Sequence, residues 1–229
     1  MPIIAISSPK GGVGKTTAAT IFATILAESG APVIVIDADP NKNVLGWAQR
    51  PGVPANLTVL AAEKEDTIVA QIDAAQEKAS FVIIDLEGVA SLMVSYAISL
   101  ADFVVIPVQG SPLDAEQAAR QVRLIRGQER IAGRAIPFAV LFTRANPAIQ
   151  PRAQRFIEER FAEANVPMFA AKLYEREAFR YIFAYGGTIA GLKDKHVSNV
   201  PAAVANAHAI TGELLGRLRN GNKPVEDAA

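Results

Sequence analysis

Pro9-Lys10-Gly11-Gly12-Val13-Gly14-Lys15-Thr16-Thr17 joins an apolar segment, residues 3–7, to an alanine-rich segment that begins at Lys15. A glycine-rich turn between a strand and a helix lets successive backbone N–H groups point at phosphate oxygens, and the helix N-terminus adds a partial positive charge. At this spacing Lys15 reaches the β- and γ-phosphates, and Thr16 offers its hydroxyl to Mg²⁺. The stretch therefore predicts a phosphate-binding loop, with Lys10 as a second lysine ahead of the glycines.

Apolar runs of strand length alternate with amphipathic segments of helix length along the rest of the chain. This alternation is typical of an α/β fold, a mostly parallel sheet with helices on both faces. We expect strands at residues 3–7, 33–37, 58–61, 81–85, 103–108, 137–142 and 166–169. We expect helices at residues 15–29, 67–79, 92–100, 114–128, 151–164, 175–184 and 201–219.

Residues typical of helix ends support several of these boundaries. Gly30 is placed to follow the end of the first helix, Asp114 to cap the helix at 114–128, and Pro151 to open the next one. No internal repeat or linker divides the chain. We therefore expect one domain over residues 1–219 and a frayed tail at 220–229.

Carboxylates follow two buried strands of the predicted sheet. Asp37 and Asp39 come at the end of one apolar run, and Asp85 ends another. Ligands of open α/β sheets bind at the carboxyl ends of the strands, where an acid holds Mg²⁺ through water or orients the water that attacks a γ-phosphate. These acids and the phosphate-binding loop predict one site, while Glu87 nearby is equally consistent with a surface turn.

Composition excludes several classes of protein. The 229 residues are 50% apolar and 20% charged, which is ordinary for a globular chain. No run approaches the ~20 apolar residues of a membrane span, and the start has no signal-peptide pattern, so we expect a cytoplasmic protein. With no cysteine and only His196 and His208, a disulfide scaffold, an iron–sulfur cluster and a Cys or His metal cage are excluded.

The net charge of zero conceals a division along the chain. Residues 1–119 hold 6 Lys and Arg against 13 Asp and Glu, whereas residues 120–219 hold 16 against 8. A basic surface attracts polyanions, because each cation that neutralises a phosphate releases counterions. The alternative is that these arginines lie scattered on solvated helix faces.

Several motifs together resemble the deviant-Walker ParA/MinD family of ATPases. They are the lysine-bearing loop, Asp37-Ala38-Asp39-Pro40, the strand that ends at Asp85, and Pro107-Val108-Gln109-Gly110-Ser111-Pro112-Leu113-Asp114. The continuation through Thr143-Arg144 and Tyr174-Glu175-Arg176-Glu177-Ala178-Phe179 is most similar to the short branch that includes the partition ATPase ParF and the VirC-type T-DNA transfer ATPase. The resemblance covers nearly the whole chain and implies a P-loop NTPase with a deviant Walker A motif.

The resemblance implies an ATPase that uses ATP and Mg²⁺ and forms a nucleotide-sandwich homodimer. Three residues are expected to be catalytic: Lys10 at the partner's ATP, Lys15 at its own, and Asp39 orienting water. The implied metal ligands are Thr16, Asp37 and Asp85. The implied nucleotide-binding residues, which include an adenine-framing proline stretch, are Gly11, Gly12, Val13, Gly14, Lys15, Thr16, Thr17, Pro107, Pro112, Thr143 and Arg144.

The resemblance also implies that the ATP dimer binds nonspecific DNA through basic residues of the C-terminal half. The candidates are Arg176, Arg180, Lys193, Lys195, Arg217 and Arg219. A ParB-like or other adaptor protein is the second implied partner. We expect a nucleoid-associated protein that uses slow hydrolysis to position plasmid or chromosomal DNA.

Three alternatives remain open at this stage. Leu86-Glu87-Gly88 replaces a proline pair common in partition ATPases and is closer to the VirC-type transfer ATPase. A MinD-like membrane role is a second choice, because the apolar face of residues 209–218 is accompanied only by Arg217 and Arg219 and packing onto the domain is simpler. Lys10 and the absence of cysteine argue against a biosynthetic ATP-dependent ligase of the same superfamily.

Overall fold

A computed structural model describes residues 1–62, 64–89, 91–193 and 197–221 of the chain. Within these residues one sheet contains seven strands: β1 (Ile3–Ile6), β2 (Val33–Asp37), β3 (Leu57–Ala61), β4 (Phe81–Asp85), β5 (Phe103–Val108), β6 (Phe138–Ala145) and β7 (Leu173–Tyr174). Their order in space is β3-β2-β4-β1-β5-β6-β7, and all the strand pairs are parallel. The predicted parallel α/β sheet is confirmed.

Eight helices are described: α1 (Lys15–Glu28), α2 (Asn43–Ala48), α3 (Ile68–Gln76), α4 (Leu92–Leu100), α5 (Pro112–Ala132), α6 (Arg152–Glu163), α7 (Ala178–Tyr185) and α8 (Val200–Gly221). Helices α1, α2, α7 and α8 contribute to the hydrophobic core on one face of the sheet. Helices α3, α4, α5 and α6 contribute to the core on the other face. The sheet is therefore covered on both faces, as the alternation of segments predicts.

The central strands are apolar throughout because both of their faces are buried. In β1, Ile4 and Ile6 belong to one core, and Ile3 and Ala5 belong to the other. Each fully buried isoleucine stabilises the fold by about 1.5–3 kcal/mol. The strands also end in register, since Asp85 lies opposite Ile6 of β1 and opposite Asp37 of β2. This register brings the polar ends of three strands to one edge of the sheet.

Of the three residues expected at helix ends, Gly30 has the predicted position, whereas Asp114 and Pro151 differ from the prediction in their place relative to the first turn. Gly30 follows α1 with a φ of 88°, as expected for a glycine beyond a helix end. The N-cap of α5, however, is Ser111, whose side chain accepts the Asp114 N–H, so Asp114 lies inside the first turn and is not the cap. Pro151 is the N-cap residue of α6 and precedes its first turn.

Two short elements also differ from the prediction. The strand expected at 166–169 is wrong, because only Met168 forms an isolated bridge, to Val140, while the seventh strand is Leu173–Tyr174. Helix α2, only six residues long and containing Gly46, was not predicted. The predicted tail at 220–229 overlaps the end of α8, and residues 222–229 lie outside the described part of the chain.

Candidate nucleotide-binding site

The loop between β1 and α1 has the backbone of an anion-binding turn. Gly12 and Gly14 have φ values of 73° and 93°, which side-chain-bearing residues rarely adopt. Gly14 is the N-cap residue of α1, and its own position offers no side chain to cap the helix. The first N–H groups of α1 are therefore left for another acceptor, and phosphate oxygens suit that position.

Lys15 is buried in this loop, with 6% of its surface exposed. Its Nζ donates a hydrogen bond to the Lys10 carbonyl oxygen at 3.2 Å. The loop after β4 closes over it, since a Cβ on Gly88 would lie 3.4 Å from the Lys15 Nζ. Burial lowers the pKa of Lys15, and the charges of Asp85, Asp39 and Glu87 oppose that shift. A bound phosphate would stabilise the charged form of this lysine further.

Asp85 lies fully buried at the end of β4. Neither carboxylate oxygen makes a hydrogen bond of normal geometry to a described residue. Burial raises the pKa of Asp85 to about 7; the carboxylates of Asp37 and Asp39 add to that shift, while the Thr16 hydroxyl and Lys15 oppose it. A buried carboxylate without a firm partner is costly, and its presence indicates that a further ligand belongs at this position.

The orphaned carboxylate and the Thr16 hydroxyl fit a magnesium ion. Both are oxygen donors, the type that Mg²⁺ prefers, and they come from the loop and the strand that flank the phosphate position. Among the described residues no group of three or more His, Asp or Glu side chains forms a metal cage. Mg²⁺ at this position would therefore depend on Thr16, on Asp85 and on oxygens supplied by a nucleotide and water.

The two carboxylates at the end of β2, Asp37 and Asp39, accept hydrogen bonds from backbone N–H groups. Asp37 is fully buried; its Oδ2 accepts the Leu45 N–H at 2.9 Å, and its Oδ1 accepts the Asp39 N–H at 3.3 Å. Burial raises the pKa of Asp37, and these backbone donors oppose the shift. Asp39 accepts both the backbone and the side-chain N–H of Asn41 at 2.9 Å. Both aspartates thus hold the turn that leads into α2 in its present shape.

Lys10 points away from Lys15 and is bound to its own chain. Its Nζ forms a 2.7 Å ion pair with Asp114, and the two side chains are 36% and 1% exposed. Asp114 also accepts a hydrogen bond from the Ser111 hydroxyl. Sequence reasoning missed this role of Asp114, although an acid three residues after a serine cap is a signal for a buried, bonded carboxylate.

An open cleft lies beside the loop, at Gly14 and Thr17. It includes Thr143 and Arg144, and the Thr143 hydroxyl donates to the Val13 carbonyl oxygen at 2.6 Å. Thr143 therefore supports the loop from β6 as well as lining the cleft. The remaining lining residues are Gly14, Thr17, Leu173, Tyr174, Glu175, Arg176, Phe179 and Arg180.

The two prolines expected near adenine do not line this cleft. Pro107 is buried within β5, and Pro112 is the first residue of α5 and is exposed. Between them, the Gln109 side chain donates to the Gly12 carbonyl oxygen at 3.1 Å. The proline stretch thus contacts the phosphate-binding loop through Gln109, which sequence reasoning had not singled out.

The expected DNA-binding residues lie at different ends of the sheet. Arg176 and Arg180 border the cleft, with Arg180 paired to Glu175 and Arg176 lying 5.7 Å from the Tyr174 ring. At the opposite edge, a cavity that includes Phe103, at the start of β5, is also lined by Arg217.

Arg217 is held by its surroundings. It forms a 2.8 Å ion pair with Glu213 and lies 5.0 Å from the Phe169 ring. Arg219, near the end of α8, is exposed. Lys193 borders a separate cavity against Pro51, and Lys195 lies outside the described residues. The structure therefore does not gather the described members of the predicted set into one patch.

Comparison with known proteins identifies relatives of this chain. The family model for the VirC1 protein matches residues 1–211. A relative called Protein ParA, from Rhizobium radiobacter, is 39% identical over 218 residues, which are 95% of this chain and 98% of that one.

Two solved structures have the same fold. An ATP complex of a Cyanothece McdA variant has a TM-score of 0.78 at 18% identity and covers 94% of this chain and 96% of its own. The MinD cell division protein of Aquifex aeolicus has a TM-score of 0.71 at 19% identity, over 94% of this chain and 98% of its own. These two structures show the fold alone, whereas the family match and the 39% identical relative show that the chain belongs to the VirC1 family, within the ParA/MinD group.

Proposed function

We propose that this chain is a Mg²⁺-dependent ATPase that dimerises around two ATP molecules, binds DNA nonspecifically and uses slow hydrolysis to position plasmid or chromosomal DNA with a ParB-like or other adaptor protein. The product of its cycle is a change of assembly state. The family relationship supports the general class of partition and positioning ATPase. The dimer, the DNA and the adaptor are the parts that we add.

The opposite environments of the two loop lysines carry this proposal. Lys15 is buried toward Asp85 and Asp39, where it meets the phosphates of its own subunit. Lys10 is partly exposed and held outside the site by Asp114. A cation that reaches a phosphate only from a neighbouring subunit links dimer stability to the bound nucleotide, so that hydrolysis loosens the dimer.

The surface around Lys10 also suits a second subunit. A groove of about 410 Å³ lies between the loop and helices α4 and α5, and it includes Pro9, Gly88 and Val89. Val89, Leu92 and Leu113 are large apolar side chains that are exposed around this part of the molecule. An apolar surface next to the nucleotide position favours a subunit contact there.

The remaining site residues have roles consistent with phosphoryl transfer, in which the protein mainly positions groups and compensates charge. We propose Thr16 and Asp85 as the residues that hold Mg²⁺, which when bound neutralises phosphate charge. Asp39 is the proposed water-orienting carboxylate. Its Oδ1 accepts both bonds from Asn41, and its Oδ2 is the proposed acceptor for the water. Asp37 then acts by holding the Asp39 turn and α2 in place.

Two substitutions separate the proposed roles of the lysines. Lys15→Gln removes the buried cation at the phosphates, so we expect loss of ATP-analogue binding by isothermal calorimetry. Lys10→Ala leaves that cation in place, so we expect retained binding but no nucleotide-induced dimer in analytical ultracentrifugation. An ATP-dependent dimer that persists in the Lys10 variant would contradict the sandwich.

Transfer of DNA between cells is the second candidate function. It is favoured by the match of residues 1–211 to the VirC1 family. Neighbouring genes distinguish the two uses, because a small DNA-binding protein beside this gene would support partition and a relaxase operon would support transfer.

A MinD-like membrane role is disfavoured by the packing of α8. Ile210, Leu214 and Leu218, which make the apolar face of this helix, are buried in the core beside α1. Among the described residues, no helix combines the length and the apolar character of a bilayer span. Sedimentation with anionic vesicles in ATP tests this alternative directly.

A further inference from the structure

Helix α5 carries a row of arginines along its exposed side. We call this row the α5 stripe; its members are Arg120, Arg123, Arg126 and Arg130. Their spacing of three or four residues places them on one side of the helix. The opposite side, which includes Ala118, Val122 and Ile125, is buried in the core. The stripe is therefore presented outward on a helix whose orientation is fixed by packing.

The arginines of the α5 stripe have no partners among the described residues: none of them makes a hydrogen bond, an ion pair or a ring contact. The acids of α5 are mostly occupied, since Asp114 pairs with Lys10 and Glu129 accepts the Ile136 N–H at 2.9 Å. Glu116 is the remaining acid of this helix, and it precedes the stripe by one turn.

Neighbouring helices do not neutralise the stripe. Helix α4 contains no charged residue. On α6, Glu158 pairs with Lys172 at 2.6 Å and Glu163 pairs with Arg160 at 3.2 Å, which leaves Glu159 without an ion pair among the described residues. By contrast, Arg180 and Arg217, two of the expected DNA-binding residues, have carboxylate partners. Arg152 and Arg155 of α6 are also exposed and without an ion pair to a described residue, but α5 holds four such arginines in one row.

We propose that the α5 stripe binds the phosphate backbone of duplex DNA. At a rise of about 1.5 Å per residue, Arg120 and Arg130, ten positions apart, are separated by about 15 Å along the helix. Each strand of duplex DNA carries one charge per ~3.4 Å of helix axis, so a row of this length faces about four phosphates of one strand. Arginine forks bind phosphate oxygens in pairs, and contacts to phosphates carry no sequence information. This inference rests on the proposed function, in which the chain binds DNA nonspecifically, and it assigns the surface.

The structure favours DNA over two other anionic partners. Binding to a lipid surface requires an apolar helix face that enters the membrane interface, and the apolar face of α5 is already buried. An acidic peptide that docks stably needs apolar pockets along its path, whereas the outward side of α5 between Arg123 and Arg130 presents mainly charged and small side chains. A linear, evenly spaced row of cations matches a linear row of phosphates.

The test replaces Arg123 and Arg130, which are two turns apart on α5. Arg120 is left intact because it borders the groove beside the phosphate-binding loop. Binding of a random-sequence duplex is measured by fluorescence anisotropy against salt, with an ATP analogue and Mg²⁺. For Arg123→Gln/Arg130→Gln we expect weaker binding and a log–log salt slope smaller by about 1.8, at about 0.9 for each lost phosphate contact.

Two further variants control for charge and folding. Lys64→Gln/Lys78→Gln removes the same charge from two exposed lysines that flank α3 and make no ion pair to a residue that the structure describes, and it should keep the parent salt slope. Arg123→Lys/Arg130→Lys keeps the charge on α5 and should restore most of the slope. Analogue binding and dimerisation should be unchanged in all three variants.

Several outcomes would overturn the proposal. If Arg123→Gln/Arg130→Gln binds duplex like the parent chain, the α5 stripe is not the surface, although the proposed function stands. Equal weakening in the α3 control would show that only net charge matters. If Arg123→Gln/Arg130→Gln no longer binds phosphatidylserine vesicles that the parent chain binds, while its duplex binding is intact, the α5 stripe is a membrane-binding surface. If the parent chain binds no duplex in any nucleotide state, the proposed DNA function fails as well.

Discussion

Two lysines five positions apart in one loop meet opposite environments. Lys15 is enclosed by the loop after β4, and Lys10 is bound to Asp114 on α5. The spacing of the loop predicts the role of Lys15, because that role depends on local backbone geometry. The partner of Lys10 lies 104 residues away in the chain, so only the folded structure reveals it. The same holds for Asp37, whose bonds to Asp39 and Leu45 depend on where α2 begins.

Asp85 makes the stability of the nucleotide-free protein depend on pH. Its pKa in the folded state, about 7, is above the ordinary value of 3.8, so the folded protein holds this proton more tightly than the unfolded chain. The stabilisation is present at low pH and is lost as the pH rises from about 4 to about 7. We therefore expect Asp85→Asn to become more stable than the parent chain as the pH rises, by a few kcal/mol at about 1.4 kcal/mol per pKa unit.

Urea unfolding of both chains at pH 4.5 and pH 8, without nucleotide or Mg²⁺, measures this difference. Taking the difference between the two chains removes the contribution of Glu213, whereas Asp37, whose pKa is also raised and whose charge acts on Asp85, contributes to the measured difference. For Glu213 burial acts upward, but the backbone N–H groups of Ala171 and Ala170 and the Arg217 side chain hold the pKa below its ordinary value. If the difference in the free energy of unfolding between the two chains does not grow with pH, the raised pKa of the buried Asp85 carboxyl is contradicted.

At the scale of elements, a tight corner joins α2 to the segment between α7 and α8. The Trp47 indole N–H donates to the Gly187 carbonyl oxygen at 3.1 Å. Gly186 has φ 82° and ψ −171°, and a Cβ there would lie 2.5 Å from the Arg50 Cβ and 2.7 Å from the Pro51 carbonyl oxygen. Since α2 begins at the turn held by Asp37, this corner connects the nucleotide edge to the segment that follows α7.

Gly186→Ala should therefore destabilise the fold strongly. The backbone conformation alone costs about 1–3 kcal/mol for a residue with a side chain, and the collision with neighbouring backbone adds about 1–3 kcal/mol. We expect a loss of about 3 kcal/mol or more, measured by urea unfolding with the fluorescence of Trp47, the one tryptophan of the chain.

Gly133→Ala is the matched control. Gly133 also has a positive φ, 65°, but nothing lies within 4 Å of the added Cβ. The free energy of unfolding of Gly133→Ala should therefore fall by only about 1–2 kcal/mol, the cost of a left-handed backbone for a residue with a side chain. Similar losses in the two variants would show that the corner between α2 and α7 does not constrain the chain.

Long elements with clear periodicity were predictable, and short ones were not. Helix α4 matches its predicted bounds, and β2, β4 and β5 match theirs, because their apolar runs are long and well delimited. Helix α2 and strand β7 have six and two residues. At such lengths periodicity carries little information, and tertiary contacts decide the conformation.

At the scale of the whole molecule, the sheet brings the ends of β1, β2 and β4 to one edge, where the loop, Asp85 and the Asp37 turn meet. The acidic N-terminal half builds this edge, and the basic half places free arginines on the flank at α5. Nucleotide and DNA would thus occupy different surfaces of one subunit. Coupling between them would then come from dimerisation, which presents two copies of the flank to one duplex.

The central claim is that two subunits enclose two nucleotides and that each supplies Lys10 to the other. The most direct test is a crystal structure of the chain with a non-hydrolysable ATP analogue and Mg²⁺. We predict a two-fold dimer in which Lys10 has left Asp114 and lies at the phosphates bound by the partner subunit. A nucleotide-bound subunit without a partner, with Lys10 still paired to Asp114, would contradict the account.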